Sequence, residues 1–379
     1  GLTSGTTFTT PGCSTSSLTC TVPSLTNGAA YTFAVSTVTQ KDGLSQTGPA
    51  SLSSSITPTD GLVVSPSTLA LSGLGSGGLV RAITLTNTSV TPITLDVVPT
   101  TSGFNPALPS GTTVSATTCT TTTALASGDS CTLTITPGAV VSSTHGSLCT
   151  TGVVPEFSTI SITGNSGAVT ATANVVVLGY GCQYQGGYLF SIDDTTPNTE
   201  SIGGKVVATT DQASAFPNGI NWSPGSAYDS IWGIDDASTS ATPSPNDSST
   251  SPATFQAGQL NCDAVNDGAC TTHNIQVFYS SSPLTSYAAG LCRQPLTGDN
   301  NATACGGGPS CYSDWYLPSA CDLGPFGSTG VNIGTYPSLS GSQSCISGST
   351  NIQQQLVGTS IVSISHFHWG STESSGEPL

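Results

Sequence analysis

The chain has 379 residues, which is long enough for two or three domains with hydrophobic cores of their own. Only 6% of its residues are charged, Lys and Arg total 4 against 20 Asp and Glu, and the formal net charge is −16. This balance excludes nucleic acid as a partner, because neutralising phosphates takes clustered cations, and it disfavours sulfated glycans and acidic membranes for the same reason. A neutral partner, or one that brings its own cations, fits the charge better.

The 13 cysteines, several of them in close pairs, indicate an oxidising compartment. No stretch of about 18 apolar residues occurs, so the sequence predicts no membrane span. Neither a signal peptide nor any Met is present, and we therefore expect a processed or internal piece of a longer protein. Ser, Thr, Gly and Asn take the place of charged surface residues, which is typical of an exported β-protein. The expected location is outside the cell, either secreted or on a bacterial cell surface.

Residues 1–60 predict short strands joined by turns. Asn27-Gly28 is a strong turn signal, and alternate residues of Tyr31-Thr-Phe-Ala-Val35 share one face of a strand. With Leu25 before it and Gly48-Pro-Ala-Ser51 after it, this pattern resembles the second half of a fibronectin type III module. The first strands of such a module are missing, so the resemblance implies a partial module.

Residues 61–178 alternate between apolar and hydroxyl-bearing side chains, with turn residues roughly every 8–12 positions, which predicts a β-sandwich. The apolar residues that this alternation assigns to the core are Leu69, Leu71, Ile83, Leu85, Ile93, Leu95, Val97, Leu133, Ile135, Ile160, Ile162, Val175 and Val177. The segments Val64-Ser-Pro-Ser-Thr-Leu69, Ile83-Thr-Leu-Thr-Asn87 and Cys131-Thr-Leu-Thr-Ile-Thr-Pro137 resemble Ig-like spacer modules of bacterial surface proteins. The resemblance implies an Ig-like spacer over residues 61–178.

Residues 179–379 differ in composition, because all four Trp and most of the acidic residues lie there. Helices are predicted over residues 286–292 and 351–356. A further helix begins at Ser319, where Asp322 three residues later completes a capping box. The Pro- and Ser-rich stretch over residues 238–254 predicts a surface loop.

Two motifs in this last segment carry a family resemblance. They are Tyr312-Ser-Asp-Trp-Tyr-Leu-Pro-Ser-Ala-Cys-Asp-Leu-Gly324 and His368-Trp-Gly-Ser-Thr-Glu-Ser374. Together they resemble the C-terminal domain of the Legionella collagen-like surface adhesin, with Asp322 in place of the usual Glu and Gly370 in place of a Ser. The resemblance implies an α+β, C-type-lectin-like domain over residues 179–379 that ends before its last strand. The fold class predicted for the whole chain is mainly β.

The positions of the cysteines suggest six disulfides and leave Cys292 as the odd one. The predicted pairs are Cys13–Cys20, Cys119–Cys131, Cys149–Cys182, Cys262–Cys270, Cys305–Cys311 and Cys321–Cys345. In the resembled family a Cys follows the last strand, which implies that the partner of Cys292 is absent from this chain. A catalytic thiol is the alternative, but an unpaired structural cysteine is favoured because Arg293 is the one cation near it in sequence.

The densest acidic group, Asp193 and Asp194 with Glu200, forms an oxygen-rich turn of the kind that suits calcium. Calcium is thus the one cofactor considered, and solvated turn acids are the favoured alternative because no known calcium loop is matched. His366 and His368 lie two residues apart on a predicted strand, so they could share a metal ion, although packing in place of aromatic rings is favoured.

Aromatic residues of the last segment are candidates for sugar-stacking platforms, with core packing as the alternative. They include Trp222, Trp232, Trp315, Trp369, Tyr184, Tyr188, Tyr279, Tyr287 and Tyr312. No local catalytic motif is present, and the shortage of cations disfavours acyl and phosphoryl transfer. We therefore predict that the chain is not an enzyme.

These patterns predict a secreted or surface-displayed bacterial adhesin, built as a stalk of β-modules with a lectin-like tip that binds a glycan or a protein. The alternative is a structural subunit of an extracellular fibre or surface layer, in which copies of the chain bind one another.

Overall fold

A computed structural model shows a mainly β protein with several antiparallel sheets and few helices. Among the residues that it describes, no helix has both the length and the apolar character needed to cross a membrane. The described residues are 31–35, 38–41, 44–47, 51–53, 55, 61–75, 77–210, 220–224, 231–234, 255–262, 266–292, 296–297, 311–312, 314–324, 345, 350–357, 361, 373–374 and 377–378.

The strands and helices are numbered in chain order. The strands are β1 (Ala34–Val35), β2 (Val38–Lys41), β3 (Leu44–Thr47), β4 (Ser51–Leu52), β5 (Leu62–Ser65), β6 (Thr68–Ser72), β7 (Arg81–Asn87), β8 (Phe104–Asn105), β9 (Thr113–Ala116), β10 (Ser130–Thr136), β11 (Ser143–Thr144), β12 (Ser147–Leu148), β13 (Ser158–Gly164), β14 (Val169–Leu178), β15 (Gln183–Tyr184), β16 (Gly187–Asp193), β17 (Gly203–Ala208), β18 (Leu296–Thr297), β19 (Cys311–Tyr312), β20 (Glu373–Ser374) and β21 (Glu377–Pro378). The helices are α1 (Gly268–Phe278), α2 (Ala288–Cys292), α3 (Ala320–Leu323) and α4 (Ile352–Gln355).

Two four-stranded sheets enclose a common core within residues 61–178. One sheet has the strand order β5-β7-β10-β9 and the other has the order β6-β14-β13-β8. All neighbouring strands are antiparallel except β6 and β14, which run parallel. The chain moves from the first sheet to the second between β5 and β6, at Pro66, which has no amide hydrogen to continue a ladder. The predicted β-sandwich is therefore present.

The core between the sheets contains every apolar residue that alternation assigned to it except Val97. Val97 is 69% exposed, so the prediction was wrong at this position. The preceding Asp96 explains the change, because its carboxylate accepts hydrogen bonds from the amides of Ser166 and Gly167 at 2.7 and 2.8 Å. These bonds hold residue 96 on the exposed turn, and the buried alternation ends at Leu95.

Strand β14 ends in the continuous apolar run Val175-Val-Val-Leu178 because both of its faces are buried. Val175 and Val177 belong to the sandwich core, whereas Val176 and Leu178 belong to a second cluster. Residues of the three-stranded sheet β15-β16-β17, among them Leu189, complete this second cluster. Residues 179–208 therefore share a buried core with the sandwich, while the predicted domain boundary at residue 178 stays a prediction.

The sheet β15-β16-β17 contacts helices through its other face. Phe190 of β16 clusters with Leu323 of α3 and with Ile352 and Leu356 at α4. Strand β16 is thus placed between the sandwich on one side and the short helices on the other. A separate cluster of aromatic and aliphatic residues, among them Trp222, Ile275 and Tyr279, joins α1 to the segment before α2.

Four disulfide bonds lie within the described residues, each at a predicted pair. They are Cys119–Cys131, Cys149–Cys182, Cys262–Cys270 and Cys321–Cys345. The pairs Cys13–Cys20 and Cys305–Cys311 stay predictions, because Cys13, Cys20 and Cys305 lie outside the described residues. The bridge from Cys149 to Cys182 ties the sandwich to the start of the next segment.

The predicted helices are present but short. The segment 286–292 contributes α2, the segment 351–356 contributes α4 with Asn351 as its N-cap, and α3 begins at Ser319 with both bonds of the capping box. Helix α1 was not predicted, since its sequence is rich in Thr and other weak helix formers. It is held instead by the Asp267 cap and by burial of Thr271, Thr272, Asn274 and Ile275.

Candidate functional site

Arg81, the first residue of β7, is only 1% exposed. Alternation along β7 places it on the same face as Ile83 and Leu85, which lie in the sandwich core. A guanidinium stays charged in proteins, so burying it requires hydrogen-bonding partners close by. These partners come from the connection between β16 and β17, residues 194–200, which we call the acidic loop.

The acidic loop supplies five oxygen acceptors to the guanidinium. The Nη2 atom donates to the Asp194 carboxylate at 2.6 Å and to the Asp194 carbonyl at 3.2 Å. The Nη1 atom donates to three further carbonyls, at 3.4, 3.0 and 2.7 Å, which belong to Thr196, Pro197 and Glu200. The Nε atom of Arg81 has no acceptor among the described residues. One side chain therefore organises most of the loop through its backbone.

The cation that the acidic loop binds in this structure is Arg81, while the calcium site predicted at Asp193, Asp194 and Glu200 stays a prediction. Asp194 uses one carboxylate oxygen for Arg81 and the other for the amide of Leu79 at 2.6 Å. Glu200 contributes its backbone carbonyl, and its side chain is exposed. No three His, Cys, Asp or Glu side chains in the described part of the chain are grouped to hold a metal ion.

Asp193, the third member of the predicted calcium set, faces away from Arg81 towards its own turn. Its carboxylate accepts hydrogen bonds from the hydroxyl and the amide of Thr195 at 2.6 and 2.9 Å. These two bonds lower the pKa of Asp193 below its ordinary value, and the charge of Arg81 adds to them. Asp193 is therefore an exposed carboxylate that is hydrogen-bonded within its own turn.

Lys205 is the other Lys or Arg whose side chain the structure describes, and it too is paired. Its Nζ atom donates to the Asp322 carboxylate at 2.7 Å and lies 5.8 Å from the ring centre of Tyr316. The second oxygen of Asp322 accepts from the amide and hydroxyl of Ser319. Burial, followed by the Asp322 charge, raises the pKa of Tyr316. The Trp-Tyr-Leu-Pro-Ser motif thus has a structural role: its Ser319 caps α3, and Asp322 of α3 forms an ion pair with Lys205 of β17.

Cys292 is the free cysteine among the described residues. The residue is partly exposed, but protein surrounds its thiol, and burial raises the thiol pKa to about 12. The sulfur lies 3.9 Å from the carbonyl oxygen of Ala288, to which it donates. A thiol that stays protonated near neutral pH is not a nucleophile, so the geometry favours the structural cysteine over the catalytic one.

The described aromatic residues of this segment are buried or half-buried, except for Phe255. Trp222, Tyr279 and Tyr287 are 4%, 7% and 0% exposed and lie in the cluster beside α1. Trp232 and Phe255 instead meet edge to face, with ring centres 4.8 Å apart and ring planes at 76°. Phe255 is 55% exposed. Among the described residues of the predicted sugar-stacking set, Trp232 is therefore the one whose ring contacts an exposed ring, that of Phe255.

Phe255 was not among the predicted site residues, because a lone Phe after a Ser- and Pro-rich stretch carries no pattern. With Trp232 and Leu260, which is 52% exposed, it forms what we call the aromatic surface. Buried Asn274 of α1 supports it by accepting from the Leu260 amide at 2.8 Å and donating to the Leu260 carbonyl at 2.6 Å. The Cys262 amide donates to the Gly233 carbonyl at 3.3 Å, and Cys262 is itself disulfide-bonded to α1.

Gly233 is required at the base of this surface. Its φ of +81° lies in the left-handed region that favours glycine, and an added Cβ would lie 2.2 Å from the Leu260 carbonyl oxygen. The segments that carry Trp232 and Leu260 can therefore approach each other only with glycine at this position.

The remaining predicted site residues are either separate or outside the described residues. Trp369, His366 and His368 lie outside them, as does the predicted surface loop over residues 238–254. Trp315 is half-buried, and its indole nitrogen has no acceptor among the described residues.

No known protein-family profile matches the chain, and no curated protein matches it. Three solved structures share limited similarity with parts of it. The VesB protease of Vibrio cholerae is 19% identical over 31% of this chain and 32% of its own, with a TM-score of 0.23. A protein of unknown function from Porphyromonas gingivalis W83 is 16% identical over 42% of this chain and 69% of its own, with a TM-score of 0.22. The secreted serine protease VesC of Vibrio cholerae is 17% identical over 32% of this chain and 24% of its own, with a TM-score of 0.22.

The chain thus matches a third or less of the length of either protease, and TM-scores of this size carry no argument about fold or activity. Two of the three structures are proteases, and we do not retain the prediction that the chain is not an enzyme. Its physical basis was the absence of local motifs. Catalytic groups often come together from positions far apart in sequence, which a motif search does not detect.

Replacing the two paired cations should separate a buried ion pair from an exposed one. Arg81→Met removes the charge that the Asp194 carboxylate and four carbonyls face, and should lower the free energy of unfolding by about 3–5 kcal/mol. Lys205→Met should cost about 1 kcal/mol, because the Lys205 side chain is 40% exposed. Urea unfolding followed by circular dichroism measures both, and equal costs would contradict the assigned role of Arg81.

The thiol of Cys292 should resist alkylation in the folded protein. At pH 8 we expect iodoacetamide to leave the Cys292 peptide unmodified in native protein and to modify it fully in urea, because burial keeps the thiol protonated. Peptide mass spectrometry without prior reduction reads out this one position. Rapid modification of native protein at pH 7 would show a reactive thiolate instead.

Proposed function

We propose that the protein is a secreted ligand-recognition protein of the adhesin type, displayed on a bacterial surface. In this proposal the β-sandwich is a spacer, and the segment from residue 179 onwards carries the recognition surface. The observation that carries the proposal is the aromatic surface, in which exposed Phe255 contacts half-buried Trp232 above a base held by a disulfide and a buried Asn.

The strand order of the sandwich supports an Ig-like spacer. The orders β5-β7-β10-β9 and β8-β13-β14 correspond to the A-B-E-D and C-F-G sheets of a constant-type Ig sandwich, with β6 as an additional strand beside the last one. The disulfide differs from the usual inter-sheet bridge, because Cys119–Cys131 joins β10 to the connection that precedes it. Pairing of β1 with β4 is in keeping with the fibronectin-like pattern before the sandwich.

The capping box and its ion pair support the lectin-like interpretation of the last segment. Ser319 and Asp322 make both bonds expected from the adhesin motif, and Asp322 performs the role of the family's Glu with one fewer methylene. The mixture of short helices with a three-stranded antiparallel sheet agrees with an α+β domain.

The location and the charge restrict the environment in which recognition takes place. Four disulfides indicate an extracellular or otherwise oxidising compartment. Both Lys and Arg side chains that the structure describes are engaged inside the protein, and the net charge is −16. A polyanionic ligand such as a glycosaminoglycan is therefore disfavoured.

Purified protein should bind components of an array of glycans and extracellular proteins while remaining as discrete particles. We expect concentration-dependent binding that is lost when the same protein is reduced and alkylated, because the disulfides hold the base of the aromatic surface. Negative-stain electron microscopy of the same sample tests the alternative. Ordered filaments without array binding would contradict the adhesin and support the fibre subunit.

A further inference from the structure

We propose that the aromatic surface binds an uncharged polysaccharide, with the Phe255 ring stacking on the C–H face of a pyranose ring. The inference rests on the proposed function and goes further by assigning the surface and the chemical class of the ligand.

Phe255 stands out by its exposure among the aromatic rings that the structure describes. Among the residues with described side chains, every other Phe, Tyr and Trp is buried or partly buried, whereas Phe255 is 55% exposed. Leu260 beside it is 52% exposed. Exposed apolar residues are normal when scattered singly, but here two of them occur with Trp232 on one supported segment.

The geometry of the ring pair suits a sugar better than a flat apolar partner. The planes of Trp232 and Phe255 meet at 76°, so the two rings form a corner in place of a continuous flat stack. A pyranose presents an apolar C–H face to a ring and hydroxyl groups around its edge. One ring can therefore cover the face while the other flanks the edge, and both are stiff side chains with few rotamers to lose on binding.

The described polar residues that adjoin Phe255 and Leu260 in sequence carry uncharged hydrogen-bonding groups. Gln256 and Asn261 flank Phe255 and Leu260 in sequence, and Asn261 is exposed. Exposed His273 approaches the same segment, with its Nε2 atom 2.9 Å from the Gly258 carbonyl oxygen. Amide side chains donate to and accept from hydroxyl groups without requiring charge on the ligand.

The size and charge of the site argue against the other partners. A stable protein interface buries about 800 Å² on each side, which takes roughly 20–30 residues, far more than this surface offers. A polyanion requires cations, and Arg81 and Lys205 are paired with Asp194 and Asp322. An uncharged, polyhydroxylated ligand is the class that remains compatible with both observations.

Affinity gel electrophoresis of the full chain tests this assignment. The gels contain laminarin, yeast mannan, dextran or a galactan, with heparin as the anionic comparison. We expect at least one neutral polysaccharide to retard the protein, and Phe255→Ala to raise the dissociation constant at least tenfold, as loss of a central aromatic contact does. The matched control is Val90→Ala, since Val90 is 86% exposed on the sandwich, and it should bind like the unmodified chain.

The outcomes separate this inference from the function on which it rests. Unchanged retardation of Phe255→Ala overturns the assignment of the surface and leaves a recognition function in place. Array binding without retardation by any neutral polysaccharide overturns the ligand class. Retardation by heparin equal to that by the neutral polysaccharides contradicts the charge argument. Absence of both array binding and retardation rejects the proposed function and the inference together.

Discussion

The guanidinium of Arg81 fixes how the sandwich and the following segment fit together. It reaches the end of the sandwich from a central strand, and it is buried only because the acidic loop surrounds it with a carboxylate and four carbonyls. The acidic loop is the turn of the β16–β17 hairpin, so holding the loop positions that hairpin against β6 and β14. Phe190 on the far side of the same hairpin supports α3 and α4. The Cys149–Cys182 disulfide and the shared cluster around Val176 also hold the sandwich and the following segment together.

The scarcity of cations gives this arrangement a consequence for binding. The described Lys and Arg side chains, those of Arg81 and Lys205, are both used to join segments far apart in sequence. Their partners Asp194 and Asp322 accept hydrogen bonds through both carboxylate oxygens, and neither cation is free for an anionic ligand. In the function that we propose, recognition then depends on apolar and neutral polar contacts, which are the contacts that the aromatic surface offers.

Much of this fold could be predicted from the sequence, because period-two alternation and the positions of the cysteines are local signals. Alternation identified the sandwich core, and Ser319 with Asp322 identified a helix start. Alternation could not show that Val176 and Leu178 are buried on the opposite face, since the burying sheet comes later in the chain. The pairing of Asp194 with Arg81 could not be predicted for a related reason. Arg81 lies 113 residues away from Asp194, on a strand where a single Arg gives no local sign of burial. The role of Phe255 could not be predicted either, because its contact with Trp232 joins two segments that are apart in sequence.

A double-mutant cycle between Arg81 and Asp194 tests most directly whether this ion pair fastens the structure. Arg81→Met, Asp194→Asn and the double variant would be unfolded in urea beside the unmodified protein, and the coupling energy calculated from the four free energies of unfolding. If Arg81 and Asp194 belong to one hydrogen-bonded network, we expect a favourable coupling energy of about 1.5 kcal/mol or more. Costs that add to within about 0.5 kcal/mol would show that the two residues act independently, and would contradict this expectation.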